Sequence, residues 1–151
     1  MLIASTGFRY QLLANGGFPA LMNDCVVRVY GGAPRPANAD MAPTGTLLAN
    51  ITKDGITAPG HGLSFTVAPN GVVMLASGIQ PQLNALGTNM LAVWCRMAAV
   101  TDPPVYSASA VRLDFGVNDS DGIGLIMADA NISAALERAI PYFIFGYPPL
   151  F

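Results

Sequence analysis

Few side chains in this sequence have the means to do chemistry. His61, in Pro59-Gly60-His61-Gly62, is the only histidine. An imidazole between glycines can serve as a base or a metal ligand. One histidine without a Cys-x-x-Cys cannot build a zinc site, and there is no Gly-x-Ser-x-Gly to supply a nucleophile. His61 therefore reads as part of a solvent-facing or interface loop. Asn118-Asp119-Ser120-Asp121-Gly122 is faintly like a calcium loop but lacks the later bidentate glutamate, and these residue types make turns without a metal. Glu137 is the only glutamate, and the aspartates fall mostly in turns, so no carboxylate pair for acid–base work stands out. Gly60-x-Gly62 and Gly122-x-Gly124 lack the third glycine and the helix that phosphate cradling needs. Trp94 and Arg96 fall on one face of a strand. They could form a stacking platform for a carbohydrate or receptor, or a cation–π pair within the sheet. No catalytic residue, cofactor or metal site is assigned, and the chain reads as a binding or building protein rather than an enzyme.

The elements around these residues are those of an all-β protein. Cys25–Tyr30 and Gly45–Thr52 alternate at period two, as half-buried strands do. Cys25, Val27 and Val29 share one face, and Val26, Arg28 and Tyr30 the other. Leu47, Ala49 and Ile51 oppose Thr46, Leu48, Asn50 and Thr52. Gly31-Gly32, Pro34 and Pro36 make the intervening loop. Leu63–Ala68 and Val72–Ala76 flank Pro69-Asn70-Gly71, a strong hairpin signal. In Met90–Ala98, the alternation puts Leu91, Val93, Cys95 and Met97 on one face and Ala92, Trp94 and Arg96 on the other. In Val111–Val117, Val111, Leu113, Phe115 and Val117 point inward, with Arg112 and Asp114 outward. Gly122–Ala128 and Ile140–Tyr147 complete the strands. Ser77–Gly87 has no period and reads as an ordered loop or helical turn. Asn131–Arg138 is ambiguous, with at most one helical turn expected.

A short helix is expected from Ser5 or Thr6 to Ala14, ended by Asn15-Gly16-Gly17, with a second turn at Phe18–Met22. The expected architecture is a single-domain antiparallel β-sandwich, jelly-roll or immunoglobulin-like. Residues 1–24 form an N-terminal arm and helix, 25–147 the sandwich and 148–151 a C-terminal arm. Both ends are apolar. Met1, Leu2 and Ile3, and Pro148, Pro149, Leu150 and Phe151, read as extended arms that lie on neighbouring subunits or pack on their own domain. Tyr142 and Tyr147 add aromatic surface of the kind enriched at protein interfaces.

Composition narrows the partners. Charged residues are 11% of the 151, against about 25% in ordinary soluble domains. Either partners cover much of the surface or it is built of Ser, Thr, Asn, Gln and Gly; the first is the expectation, and with it a homo-oligomer. The net charge is −2, and the basic residues are one lysine, Lys53, and six scattered arginines. That argues against nucleic acid. No apolar run reaches the length of a membrane span, and Arg9 breaks any signal-peptide core. Cys25 and Cys95 fall on core faces and are expected to be reduced.

The stretch from Arg28 to Ala49 carries a resemblance. Arg28, Tyr30, Gly31, Pro36, Ala37, Ala39 and Asp40, followed by Thr44-Gly45-Thr46-Leu47-Leu48-Ala49, resemble a family of small phage and prophage virion proteins. Ala92-Val93-Trp94-Cys95-Arg96 looks like the family's Trp-x-Arg strand. Asp121-Gly122, with Asp129-Ala130-Asn131-Ile132, looks like its closing segment. Ser77–Gly87 and the aromatic tail after Ile140 depart from the pattern. The resemblance implies a virion structural protein, assembled in the host cytoplasm and docked on the major capsid protein as a decoration or cement subunit. A neck, tail or fibre-base component is the neighbouring role, and a receptor- or carbohydrate-binding module on the particle the competing one. The first predicts apolar docking surface; the last predicts an exposed Trp94.

Overall fold

The computed structural model describes residues 1–15, 17–68, 73–119, 124–133, 137–139 and 144–145. The elements in chain order are β1 (Ile3–Ala4), α1 (Thr6–Asn15), α2 (Phe18–Met22), β2 (Cys25–Gly31), β3 (Thr46–Thr52), β4 (Phe65–Val67), β5 (Val73–Leu75), β6 (Gln82–Ala85), β7 (Met90–Ala99), β8 (Arg112–Val117), β9 (Gly124–Leu125), β10 (Asn131–Ile132), β11 (Glu137–Ala139) and β12 (Ile144–Phe145). The larger sheet runs β1-β8-β7-β2-β3-β6-β11, with β9 on β8 and β10 on β7; the smaller runs β12-β5-β4. The chain is thus mostly strands in antiparallel sheets, with two short helices; β9 alone among the described strands pairs in parallel. Cys25 and Leu63 exchange both backbone hydrogen bonds, at 3.2 and 2.7 Å, and tie β2 to the segment that enters β4.

The helix starts where its first-turn donors are met. The Ser5 hydroxyl accepts from the Phe8 N–H at 3.0 Å, an N-cap bond. The Asp40 carboxylate accepts from the Thr6 N–H at 2.7 Å and the Thr6 hydroxyl at 2.6 Å, a favourable place for negative charge. Gly7 is required by a close approach: a Cβ there would lie 2.3 Å from the Ser109 carbonyl oxygen. Phe18 of α2 then packs edge-on against Phe8 at 6.1 Å and Phe65 at 5.4 Å.

One face of the large sheet carries the apolar core. The register places Leu83, Ile51, Val27, Met97, Leu113 and Ala4 in one row across six strands. Ala49, Val29, Cys95 and Phe115 form the next row. Phe8, Phe18, Met22, Leu63, Phe65 and Val73 pack onto these rows from the helices and the small sheet.

The opposite face is polar, yet it is buried as well. Asn84, Asn50, Arg28, Arg96 and Asp114 form a row. Arg28 and Arg96 are direct neighbours, an arrangement that costs energy unless counter-charges intervene. Arg96 is held by Asp114 through two bonds of 2.7 Å. Asp102 takes three bonds of 2.9 to 3.1 Å from Arg112 and lies 3.5 Å from Arg28. The loops 32–45 and 100–111 close over this face through their carbonyls. Arg96 donates to Met41 at 2.9 Å, Arg112 to Asp40 at 3.2 Å and Pro103 at 3.0 Å, and Arg28 to Val100 at 2.9 Å. Burial pushes the Asp114 carboxyl up from its ordinary value, against the pull of the Arg96 bonds and charge.

Several expectations are corrected here. Arg112 and Asp114 leave the apolar core as expected, but both are buried, because two loops cover their face. A register shift between Tyr30 and Gly31 sets Ala92 opposite Gly31. A one-residue shift reverses the faces of what precedes it. Ala92 therefore joins the core, while Leu91 is 54% and Val93 39% exposed. A second shift, between Val29 and Tyr30, sets Leu47 opposite Tyr30 and brings Leu48 into the core. Val67, which period-two alternation groups with the buried Leu63 and Phe65, is exposed. Ser77–Gly87 contains a strand, β6, held between β3 and β11. In Asn131–Arg138 the described residues form strands at both ends. The Pro69-Asn70-Gly71 turn lies outside the described residues, but the strands flanking it pair antiparallel, as a hairpin requires.

The buried ion pair yields a stability prediction. Asp114→Ala leaves a buried guanidinium without its counter-charge and is expected to cost about 3–5 kcal/mol, read as a lowered urea midpoint. Replacing Arg96 and Asp114 together with Met and Leu is expected to cost much less. A double variant as unstable as the single one refutes this account of the face.

Candidate functional site

The sequence nominates two ends and one strand face, and the structure treats them differently. Ile3 and Ala4 pair with Asp114 and Leu113 of the same chain. The Met1 amine lies 3.1 Å from Asp119, and Arg35 donates to the Met1 carbonyl. Leu2 packs against the core. This arm is therefore laid on its own sheet edge, the second of the two placements expected for it. Tyr142, Tyr147, Pro148, Pro149, Leu150 and Phe151 lie outside the described residues. Trp94 and Arg96 are each 1% exposed. Trp94 stacks on Tyr30 at 4.4 Å, and the Arg96 guanidinium carbon lies 5.6 Å from the indole centroid. The exposed-platform reading of Trp94 is thereby overturned, because loops 32–45 and 100–111 close over its face. The cation–π pair within the sheet is what forms. Trp94 Nε1 is buried and finds no acceptor among the described residues, a defect worth about 1–3 kcal/mol.

His61 has a partner that spacing did not reveal. Its Nδ1 lies 2.7 Å from Oδ2 of Asp54, seven residues earlier. The loop that joins them is pinned by Asp24, whose carboxylate accepts from the Gly60 N–H at 2.8 Å and the Gly62 N–H at 2.7 Å. Lys53 donates to the Gly60 carbonyl. Asp24 itself has φ 59°, a left-handed conformation that aspartate tolerates better than most residues. The Gly60 N–H bond is the main reason the Asp24 carboxyl lies below its ordinary value; partial burial opposes it. The His61 bond does the same for Asp54.

Beside this pair is a cleft of about 250 Å³, lined by Asp54, Gly55, Ile56, Gln82, Leu83 and Asn84. The 54–56 turn bends over β6, and Asn84 Nδ2 donates to the Gly55 carbonyl at 3.1 Å to hold it there. The sequence placed Asp54 in a turn and Gln82 and Asn84 in a loop, so nothing in its spacing joined them.

The described residues contain no cluster of three or more His, Cys, Asp or Glu side chains able to hold a metal. Asp119, from the calcium-like run, sits over Gly116, where a Cβ would lie 2.1 Å from its carboxylate. Cys25 and Cys95 are buried and unpaired, and burial pushes both thiols up. No helix of the described residues is long and apolar enough to cross a membrane.

The exposed apolar side chains include Met41 on loop 32–45 and Val105 and Tyr106 on loop 100–111. Met41 adjoins Asp40, whose carbonyl accepts from the Ser107 N–H at 2.8 Å. That bond ties the two covering loops together next to Met41 and Tyr106. The same Asp40 carboxylate holds the start of α1, which exposes Tyr10 and Leu13, three residues apart; Leu13 is 90% and Tyr106 67% exposed.

The Asp24 bonds predict a pH response. A carboxyl lowered in the folded state contributes stability above its unfolded pKa, and that contribution is lost as pH falls through the folded value. The amide resonances of Gly60 and Gly62 are expected to titrate together below pH 3.8, the ordinary aspartate value. Asp24→Asn is expected to abolish that titration. A midpoint at or above the ordinary value refutes the pinning.

No family model matches this chain, nor does any curated protein or solved structure.

Proposed function

We propose that this chain is a structural subunit of a bacteriophage particle, docked on the major capsid protein as a decoration or cement protein. The observation that carries the reading is the exposure of Met41, Val105, Tyr106, Tyr10 and Leu13 on a chain with 11% charged residues. A surface of that kind is a liability until it is covered. The motif resemblance through Arg28–Ala49 and Trp94–Arg96 supplies the phage setting. Attachment is by burial of apolar area, about 25 cal/mol per Å² before the costs of association, with no chemical step. The virion is the location, and a homo-oligomer on the shell the assembled form.

The same proposal includes a sandwich arrangement. Val27, Cys95 and Phe115 of the large sheet share one core cluster with Phe65 and Val73 of the small one. That supports two sheets facing each other across a common interior. The chain acts as a rigid wedge between shell proteins, and its buried ionic face keeps the covering loops, and with them Met41, Val105 and Tyr106, in fixed shape.

Quantitative mass spectrometry of purified particles tests the reading. Copies in fixed ratio to the major shell protein are the expected result, and absence from the particle overturns it. Leu13→Ser combined with Tyr106→Ser is expected to lower incorporation at least about tenfold, the effect of roughly 1.4 kcal/mol, without lowering the thermal midpoint. Full incorporation of that variant removes these side chains from the docking surface.

A further inference from the structure

We propose that the cleft between the 54–56 turn and β6 binds a small neutral polyhydroxylated ligand, about one sugar ring in size. The inference is independent of the assembly reading.

Cross-strand partners project to the same side of a sheet. Asn50 faces Asn84, and Thr52 faces Gln82. The Gly55 turn lies over this side, since a Cβ at Gly55 would sit 3.8 Å from that of Gln82 and Asn84 bonds the Gly55 carbonyl. The cleft therefore opens on the side that carries Asn50 and Thr52. Oδ1 of Asn50 and Oγ1 of Thr52 are both buried without a hydrogen-bond partner. Neither residue is among the described residues that line the cleft, so a ligand there meets the lining itself.

The lining defines the chemistry. Asp54 accepts from the Ile56 N–H at 3.1 Å with one oxygen and faces His61 at 2.7 Å with the other. A carboxylate can accept about four bonds, so each oxygen retains capacity for a ligand hydroxyl. The Gln82 amide adds a donor and an acceptor. Ile56, half exposed, offers an apolar wall to the C–H face of a ring. No lysine or arginine is among the described lining residues, which does not favour a phosphate or carboxylate. Asp54 is the one carboxylate among the described lining residues, and a lone carboxylate serves a cation poorly. Hydroxyl groups, which donate and accept, suit every group present. The volume of about 250 Å³ lies just below the 300–1,000 Å³ typical of small-molecule pockets and fits a single ring.

The test is an amide NMR titration of the full chain with the methyl glycosides of glucose, galactose, mannose and N-acetylglucosamine, and separately with inorganic phosphate. Saturable shifts at Gly55, Ile56, Gln82 and Asn84 with at least one glycoside, at millimolar affinity, are expected. Gln82→Ala and Ile56→Lys are each expected to weaken binding about tenfold, as losing one good contact does. Ile56 is on the surface, so that variant keeps the fold should Gln82→Ala disturb β6. Tyr106→Ala, remote from the cleft, is expected to bind normally. The proposal is overturned if no glycoside shifts these residues, which leaves water as the occupant. It is also overturned if phosphate binds as well as the glycosides, or if both cleft variants bind unchanged.

Discussion

The Arg96–Asp114 pair sets the terms for the rest of the molecule. It stands at the centre of a sheet face that would otherwise look to solvent. Two charges there cannot be left half covered, because a desolvated ion needs its remaining donors and acceptors met. The Met41 carbonyl meets one Arg96 N–H, which draws loop 32–45 onto the face. Arg112 and Arg28 then require Asp102, which draws in loop 100–111. Burial pushes the Asp114 carboxyl up, and the desolvation of a buried ion pair commonly offsets its attraction. The pair is therefore less a source of net stability than a device that fixes which loops sit where. Those loops in turn present Met41, Val105 and Tyr106 and hold the start of α1 through Asp40.

Much of this was legible in the sequence, and the misses have physical causes. Strong alternation placed β2, β3, β7 and β8, and the Asn15-Gly16-Gly17 stop placed the end of α1 to within a residue. β6 was missed because Gln82-Leu83-Asn84-Ala85 has no β-branched or aromatic residue; pairing with β3 makes it a strand, and pairing is a tertiary effect. Leu91 and Val93 were assigned to the wrong face because alternation assumes an unbroken register, and the bulge at Tyr30–Gly31 breaks it. Arg112 and Asp114 were read as solvent-facing because periodicity distinguishes two faces of a strand but not whether a distant loop covers one of them.

The candidate sites follow the same pattern. The sequence weighed Trp94 and Arg96 as either a ligand platform or an internal cation–π pair; loop coverage decides for the second. His61 was judged partnerless as a metal ligand. Asp54, its hydrogen-bond partner, was hidden because the bond depends on the Asp24 clasp around Gly60 and Gly62. A clasp of that kind leaves no periodic trace. The Asn50–Asn84 and Thr52–Gln82 pairs were hidden with β6. Residue type alone identified little at the cleft, whereas register brought four polar side chains into line.

Ser5 links events far apart in the life of the chain. Its hydroxyl donates to the Ala110 carbonyl at 2.7 Å and accepts from the Arg112 N–H at 3.0 Å, across 105 and 107 residues. During synthesis, Ile3, Ser5 and Phe8 emerge long before the strand that receives them. The helix cap can form early, but its anchorage must wait until β8 has been made. Through that interval Phe8 and Phe18 have no sheet to cover them, a long-range closure of the slow kind. The N-terminal segment is thus the first part of the fold to be written and among the last to be secured. A slowed ribosome would lengthen the time those aromatic side chains stay open to helpers or to aggregation.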